Sequence, residues 1–246
     1  FTLKAHLTIV TGDMPAIAKM MQFKGANGRS PCRLCRIQAD QTAASRHMYF
    51  PLKERQFVKA RFATIDHSRQ IALRRDVRKE IDLVNSARDD QTEKDHGIKG
   101  RSVFLALPTV HFSDSFGLDV MHLFSNQARH MWSLWLKSEL LSRSDAEQIG
   151  REMANAGSSV PVAVARKPRD ISAHFRSFKA SQWYDFILIW SPILLNGRLP
   201  QFLLDGWLVF VEAVRRSLKV RLQQSQIDEI EELFRQYVEH VEVEYL

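Results

Sequence analysis

An acid and, 19 residues later, a pair of thiols hold most of the chemistry this sequence offers. Asp13 stands in Gly12-Asp13-Met14-Pro15-Ala16, directly after a β-rich run over 1–10, and Cys32 and Cys35 follow as C-x-x-C. A carboxylate at the C-terminal end of a strand is where α/β sheets set ligand and metal groups. Two or three such carboxylates can hold a pair of Mg²⁺ ions for phosphoryl transfer. Asp13 also suits the N-cap of a helix over 14–23 with Pro15 in its first turn. The local sequence favours the cap, and the two roles are compatible. C-x-x-C can supply half of a tetrahedral zinc site, and Arg29, Arg33 and Arg36 around it would stabilise thiolates. A thioredoxin-like redox pair needs a strand feeding straight into the motif at a helix start. Here a Gly/Asn/Ser turn ending in Pro31 precedes it, so zinc is the stronger reading, with plain buried thiols as the bland one. None of the nine histidines forms an H-x(3–5)-H pair to complete such a site.

Asp119 and His122 lie at i and i+3 on one helical face. They could share a metal, or the acid could orient the imidazole. The plainer reading, and the favoured one, is an acid at a helix start and a histidine packed against Phe124 or Trp132. Basic groups are scattered: Arg74, Arg75, Arg78 and Lys79; Arg166, Lys167 and Arg169; Arg215, Arg216, Lys219 and Arg221. Each cluster more often forms a solvated face than a phosphate track. The run over 71–87, basic at helical spacing, is the best phosphate candidate. Trp183, Trp190 and Trp207 sit in apolar runs and read as core. There is no P-loop, G-x-G-x-x-G, G-x-S-x-G or H-E-x-x-H.

Helices must position most of these groups. Amphipathic spacing predicts helices over 71–87 and 118–141, and one opening at Ser144 with Glu147 closing a capping box. Residues 95–100 read as a loop, 103–112 as an extended apolar stretch broken by Pro108, and 157–168 as a linker. The run 171–194 reads as two helical pieces. Residues 200–220 are apolar around most of the circumference, which marks a buried helix, and a last helix carries Ile227, Ile230, Phe234, Tyr237, Val238 and Val241. The expected fold class is therefore mainly α, with one or a few strands near the N-terminus.

The bulk numbers agree with a globular protein. Of 246 residues, 45% are hydrophobic and 26% charged, which excludes a disordered chain. The formal charge of +7 favours an acidic partner, nucleic acid before a membrane surface. Two cysteines are not a secreted disulfide framework. No run approaches the ~18 apolar residues of a membrane span: the nearest, 183–195, contains Asp185 and is broken by Pro192. The chain has no initiator Met and begins inside an apparent strand, so the expectation is a piece of a longer protein.

Three ordered blocks resemble the CACTA-type (En/Spm-like) DDE transposases, in particular fungal members. GDMPAIAKMMQFKGANGRSPCRLCRI is similar to that family's D-x-P-A segment followed by C-x-x-C. The stretch around Leu118, Asp119, Met121, His122 and Asn126 resembles its L-D-x-M-H-x-x-x-N block. FKASQWYDFILIWSPILL is similar to its helical K-A-x-x-W region, with Gln182 where relatives often carry Glu. The resemblance implies a ribonuclease-H-like core interrupted by a long helical insertion. It implies a division into 1–45 (partial core and zinc knuckle), 46–117 (basic connector) and 118–246 (helical insertion). Asp13 would be the second catalytic acid, on a core strand, binding Mg²⁺ or Mn²⁺. Cys32 and Cys35 would be half of a structural Zn²⁺ site. The first Asp, the catalytic Glu and the zinc-binding His pair would lie outside this chain, which by itself would be inactive. Asp119 and His122 would be signature residues of unassigned role. The implied partner is DNA at transposon terminal repeats, the location the nucleus, with a homo-oligomer left open. A non-catalytic DNA-binding or scaffold protein derived from such a transposase is the alternative.

Overall fold

The computed structural model describes residues 5–39, 49–50, 75–112, 114–157, 159–161 and 167–245. It is mainly helical, and β structure among the described residues is confined to isolated bridges. The chain divides into two compact units, Phe1–Asp119 and Val120–Leu246.

In the N-terminal unit the expected strand over 1–10 is not formed in the part described. Residues 5–9 take no regular structure, and Val10 makes a single parallel bridge to Phe116. A strand is a pairing rather than a propensity. Val10 donates its N–H to Ser115 and accepts from Gly117, and its neighbours find no such partner among the described residues. Helix α1, Met14–Met20, starts where Asp13 accepts the Ala16 N–H at 2.7 Å. It ends three residues before the expected limit at Phe23, as Gln22 turns to positive φ. Helix α2, Val77–Ala87, is capped by Asp76; the first part of the expected helix, 71–74, lies outside the described residues, and Arg74 with it. Helix α3, Asp90–His96, has no counterpart among the expected helices, and its last two residues fall in the stretch read as loop. Its DQTEKDH sequence has no apolar period, and it is set by caps: Asp89 accepts the Thr92 N–H, and Gly97 closes the other end at φ 65°. The segment 103–112 is not extended throughout, since Val103–Ala106 makes a 3₁₀ turn capped by Ser102. Val10, Ile17, Met21, Phe23, Ile81, Val84, Ile98 and Phe116 form this unit's core.

The C-terminal unit is an aromatic-rich helical bundle. Helix α4, Val120–Lys137, is followed by α5, Arg143–Ala156. The cap of α5 is Ser142, two residues before the expected Ser144, and its hydroxyl accepts the Asp145 N–H. The 171–194 run is more broken than two pieces. It comprises α6, Ile171–His174, a 3₁₀ turn, α7, Ala180–Asp185, a π-helical turn, Phe186–Trp190, and α8, Ser191–Leu194. Pro192 explains the π turn: it has no N–H to give, and its ring pushes away the carbonyl four residues back. That carbonyl, of Leu188, lies 3.5 Å from Arg215. Helices α9, Gln201–Ser217, and α10, Gln224–Glu244, pack against each other, and α4 packs on α7. Trp132, Trp135, Trp183 and Trp207 are all buried, as is Trp190. Trp135 meets Trp207 edge-on, with ring centroids 5.2 Å apart, an arrangement worth about 0.5–1.5 kcal/mol beyond burial. Trp207 donates to the Ser191 hydroxyl at 2.8 Å, which donates in turn to the Ile187 carbonyl. Among the described residues no helix is long and apolar enough to cross a membrane.

Gly97 and Gly197 share a left-handed backbone but differ in what surrounds them. A Cβ on Gly97 would stand 2.0 Å from the Ser30 carbonyl oxygen, whereas one on Gly197 would meet nothing within 4 Å. Gly97→Ala should therefore cost about 2–4 kcal/mol, backbone strain plus overpacking, and Gly197→Ala only the strain, about 1–2 kcal/mol. Denaturant unfolding of the two variants measures the difference.

Candidate functional site

The C-x-x-C segment is a turn whose backbone grips its own sulfur. The N–H groups of Leu34 and Cys35 point at Cys32 Sγ, at 3.3 and 3.4 Å. Two amides and the Cys35 thiol all donate to this sulfur, so it is held as thiolate. Its pKa is pulled down to about 5, chiefly by the bond from the Cys35 side chain, against a desolvation that raises it. Cys35 is pushed the opposite way, first because its proton is shared with Cys32 and then by burial. The pair thus carries one proton between two sulfurs, both half-buried and neither in a disulfide. This donor set fits two ligands of a zinc site, since one thiolate is already formed and both sulfurs are on one turn. Among the described residues no group of three or more His, Cys, Asp or Glu converges on a common point.

The turn is fastened to the rest of its unit by arginines. Arg75 donates to the Cys32 carbonyl at 2.6 Å and to the His96 carbonyl, and pairs with Glu80 at 2.8 Å. Its own backbone N–H reaches the Leu34 carbonyl at 3.0 Å. Glu80 is only 4% exposed and also receives Arg36 at 3.1 Å, with His96 Nδ1 at 3.0 Å. Arg33 bonds the Phe116 and Gly117 carbonyls at 2.7 and 3.1 Å. The arginines that the sequence placed around the thiols are there, and most of their bonds go to backbone and to Glu80.

Asp13 is exposed, and its Oδ1 makes the helix cap. Oδ2 accepts no hydrogen bond among the described residues, which leaves one oxygen of the carboxylate open to an ion. Between α1 and the thiol turn lies an apolar pocket of about 300 Å³. Met14, Ile17, Met21, Phe23, Cys32, Leu34 and Leu118 are among the side chains that line it.

The other sequence-marked residues fare differently. Asp119, half-buried, precedes α4, and His122 is exposed in its first turn. The phosphate reading of 74–79 is corrected at Arg75, whose side chain is 2% exposed and fully committed inside the unit. Arg78 donates to the Val110 carbonyl, and Lys79 pairs with Asp76. Arg166 lies outside the described residues. Arg215 and Arg216 pair with Glu212, and Arg216 also with Glu229. Gln182 serves its own helix, since its Oε1 accepts the Lys179 N–H at the start of α7. Sequence reasoning missed the Arg75–Glu80 pair, whose only local signal is a five-residue spacing that meets across a helix start.

Fold and site define a mainly helical protein with a dithiol turn and an acid-capped helix in one compact unit. No protein-family model, curated protein or solved structure matches this chain.

The shared proton has a direct consequence. Between about pH 6 and 7 Cys32 is thiolate while Cys35 keeps its proton, because the Cys32 pKa lies below that range and the Cys35 pKa above it. Iodoacetamide should therefore modify Cys32 well before Cys35 in metal-free protein, read by peptide mass spectrometry. Equal rates would remove the asymmetric pair.

Proposed function

We propose that this chain is the central part of a CACTA-like DDE transposase, catalysing metal-dependent DNA strand cleavage and transfer when the remainder of the protein is present. The reading rests first on the three ordered sequence blocks. The structural observation that carries it is the distribution of charge. Residues 1–119 hold 20 Lys+Arg against 13 Asp+Glu, net +7, whereas residues 120–246 hold 15 against 15. The whole net charge of the protein thus lies on the unit that also holds Asp13, Cys32 and Cys35, where a polyanion would be drawn.

In this reading Asp13 caps α1 through Oδ1 and offers Oδ2 to Mg²⁺ or Mn²⁺, the ion supplying charge stabilisation at the attacked phosphate. Water, then a 3′-OH, would be the nucleophile on DNA phosphorus. Cys32 and Cys35 would hold half of a structural Zn²⁺ site whose other ligands lie elsewhere in the protein. The ribonuclease-H-like core would be built around the parallel contact at Val10 and Phe116. The exposed Ile9, Met14, Leu34 and Leu118 suit an apolar face that further strands of such a core would cover. DNA is the implied partner and the nucleus the implied location.

A second reading, a transposase-derived DNA-binding scaffold without catalysis, is favoured by the cap itself, which gives Asp13 a sufficient structural reason to be present. Asp13→Asn separates the two, because Asn is an equally good N-cap but a poor ligand for a hard cation. In the complete protein with Mn²⁺, Asp13→Asn should retain helix content and DNA binding while nicking of terminal-repeat DNA falls by at least about 100-fold. Nicking at the wild-type rate by Asp13→Asn would remove Asp13 from the metal site. DNA binding without nicking by the wild type would establish the scaffold.

A further inference from the structure

The positive charge of the N-terminal unit is not spread evenly, because many of its cations are already engaged. Lys24 pairs with Glu93, Arg29 with Asp95, Arg36 and Arg75 with Glu80, and Lys79 with Asp76. Arg33 and Arg78 donate to backbone carbonyls. Arg88 and Lys94 are exposed with no ion-pair or hydrogen-bonded side-chain partner among the described residues, and so are Lys19, Lys99 and Arg101.

The fold brings these three to one seam although 80 residues separate the first from the second. Lys99 donates its backbone N–H to the Gln22 carbonyl at 2.7 Å, and Lys24 donates to the Gly97 carbonyl at 2.8 Å. Phe23 and Ile98 form an antiparallel bridge, and the Ser102 hydroxyl bonds the Met20 carbonyl. Segment 97–102 therefore lies along the end of α1, the turn that carries Lys19. Ile98 and Ser102 are buried, whereas Lys99 and Arg101, on either side of a bend at Gly100, are both exposed. Two acids of α3, Glu93 and Asp95, are themselves paired with Lys24 and Arg29.

We propose that Lys19, Lys99 and Arg101 form a nucleic-acid backbone contact that sets duplex DNA along α1, towards Asp13. The surface deepens the transposase reading and rests on it for the choice of polyanion. The seven residues of α1 span about 10 Å. Along a duplex axis that is about three phosphates of one strand. That spacing brings the carboxylate at the other end of α1 within reach of a strand seated on the cations. The contact reads charge and spacing, not sequence.

The test uses the full 246-residue chain and a fluorescent duplex of random sequence, titrated by anisotropy over a range of salt. The variants are Lys19→Gln/Lys99→Gln/Arg101→Gln and a control, Lys137→Gln/Arg151→Gln/Lys219→Gln, at exposed cations of the neutral unit. The seam variant should make the plot of log affinity against log salt shallower by about 2.7, at roughly 0.9 per lost phosphate contact. The control variant should leave the slope as in the wild type. All six positions are exposed, so both variants should unfold at the wild-type midpoint. An unchanged slope in the seam variant overturns the surface, and if nicking by the complete protein persists, it leaves the transposase reading standing. A wild-type chain that binds anionic vesicles but no duplex overturns the surface too, and absence of nicking by the complete protein would take the transposase reading with it.

Discussion

A buried guanidinium organises the N-terminal unit. Arg75 reaches the chain near Cys32, the end of α3 at His96 and the carboxylate of Glu80, and lies 5.4 Å from the Phe23 ring centre. Five N–H groups in a fixed fork can join that many separate strands of chain, and lysine could not. The cost is that both partners are out of water. A buried pair of this kind contributes little net stability against an apolar replacement, but loss of one partner typically costs about 3–5 kcal/mol. What the pair provides is position, since it ties the thiol turn to α2 and α3 at a single point inside the unit.

That arrangement also decides which charges are left for a ligand. Counting basic residues in the sequence treats Arg75 and Lys99 alike. In the folded unit the first is sealed among carbonyls and a carboxylate, and the second is exposed to solvent. A charge that has already been desolvated and paired has little left to offer a phosphate, whereas a hydrated one releases counterions on binding. The open oxygen of Asp13 follows the same logic, since a cap uses one oxygen of the carboxylate and leaves the other.

The C-terminal unit is held by a different interaction, the packing of indole rings. Trp135 and Trp207 meet at its centre, and each ring N–H finds a hydroxyl, Tyr245 for one and Ser191 for the other. The π turn over Phe186–Trp190 brings Ser191 into line with Trp207, so the proline that breaks the helix also completes the core. This unit has no net charge and no thiol, and its aromatic residues account for its order without reference to a ligand.

Local signals were enough for the parts that depend on neighbours in the chain. Asp13 as a cap, the amphipathic face of 118–141, the buried helix after Pro200 and the core tryptophans are all matters of period and capping chemistry within a few residues. Helix α3 escaped because it has caps but no apolar stripe, and alternation over 5–9 did not make a strand because alternation does not of itself supply a partner. The C-x-x-C spacing pointed to a paired-thiol site. Which sulfur carries the proton follows from the bond between the two cysteine side chains and from the amides two and three residues on. By itself the sequence determined the helical class, the capped acid and the thiol pair, because each is written in short-range spacing. The tertiary structure alone decided that Arg75 is internal and that segment 97–102 runs beside the end of α1 that carries Lys19, because desolvation and long-range pairing exist only once distant segments meet.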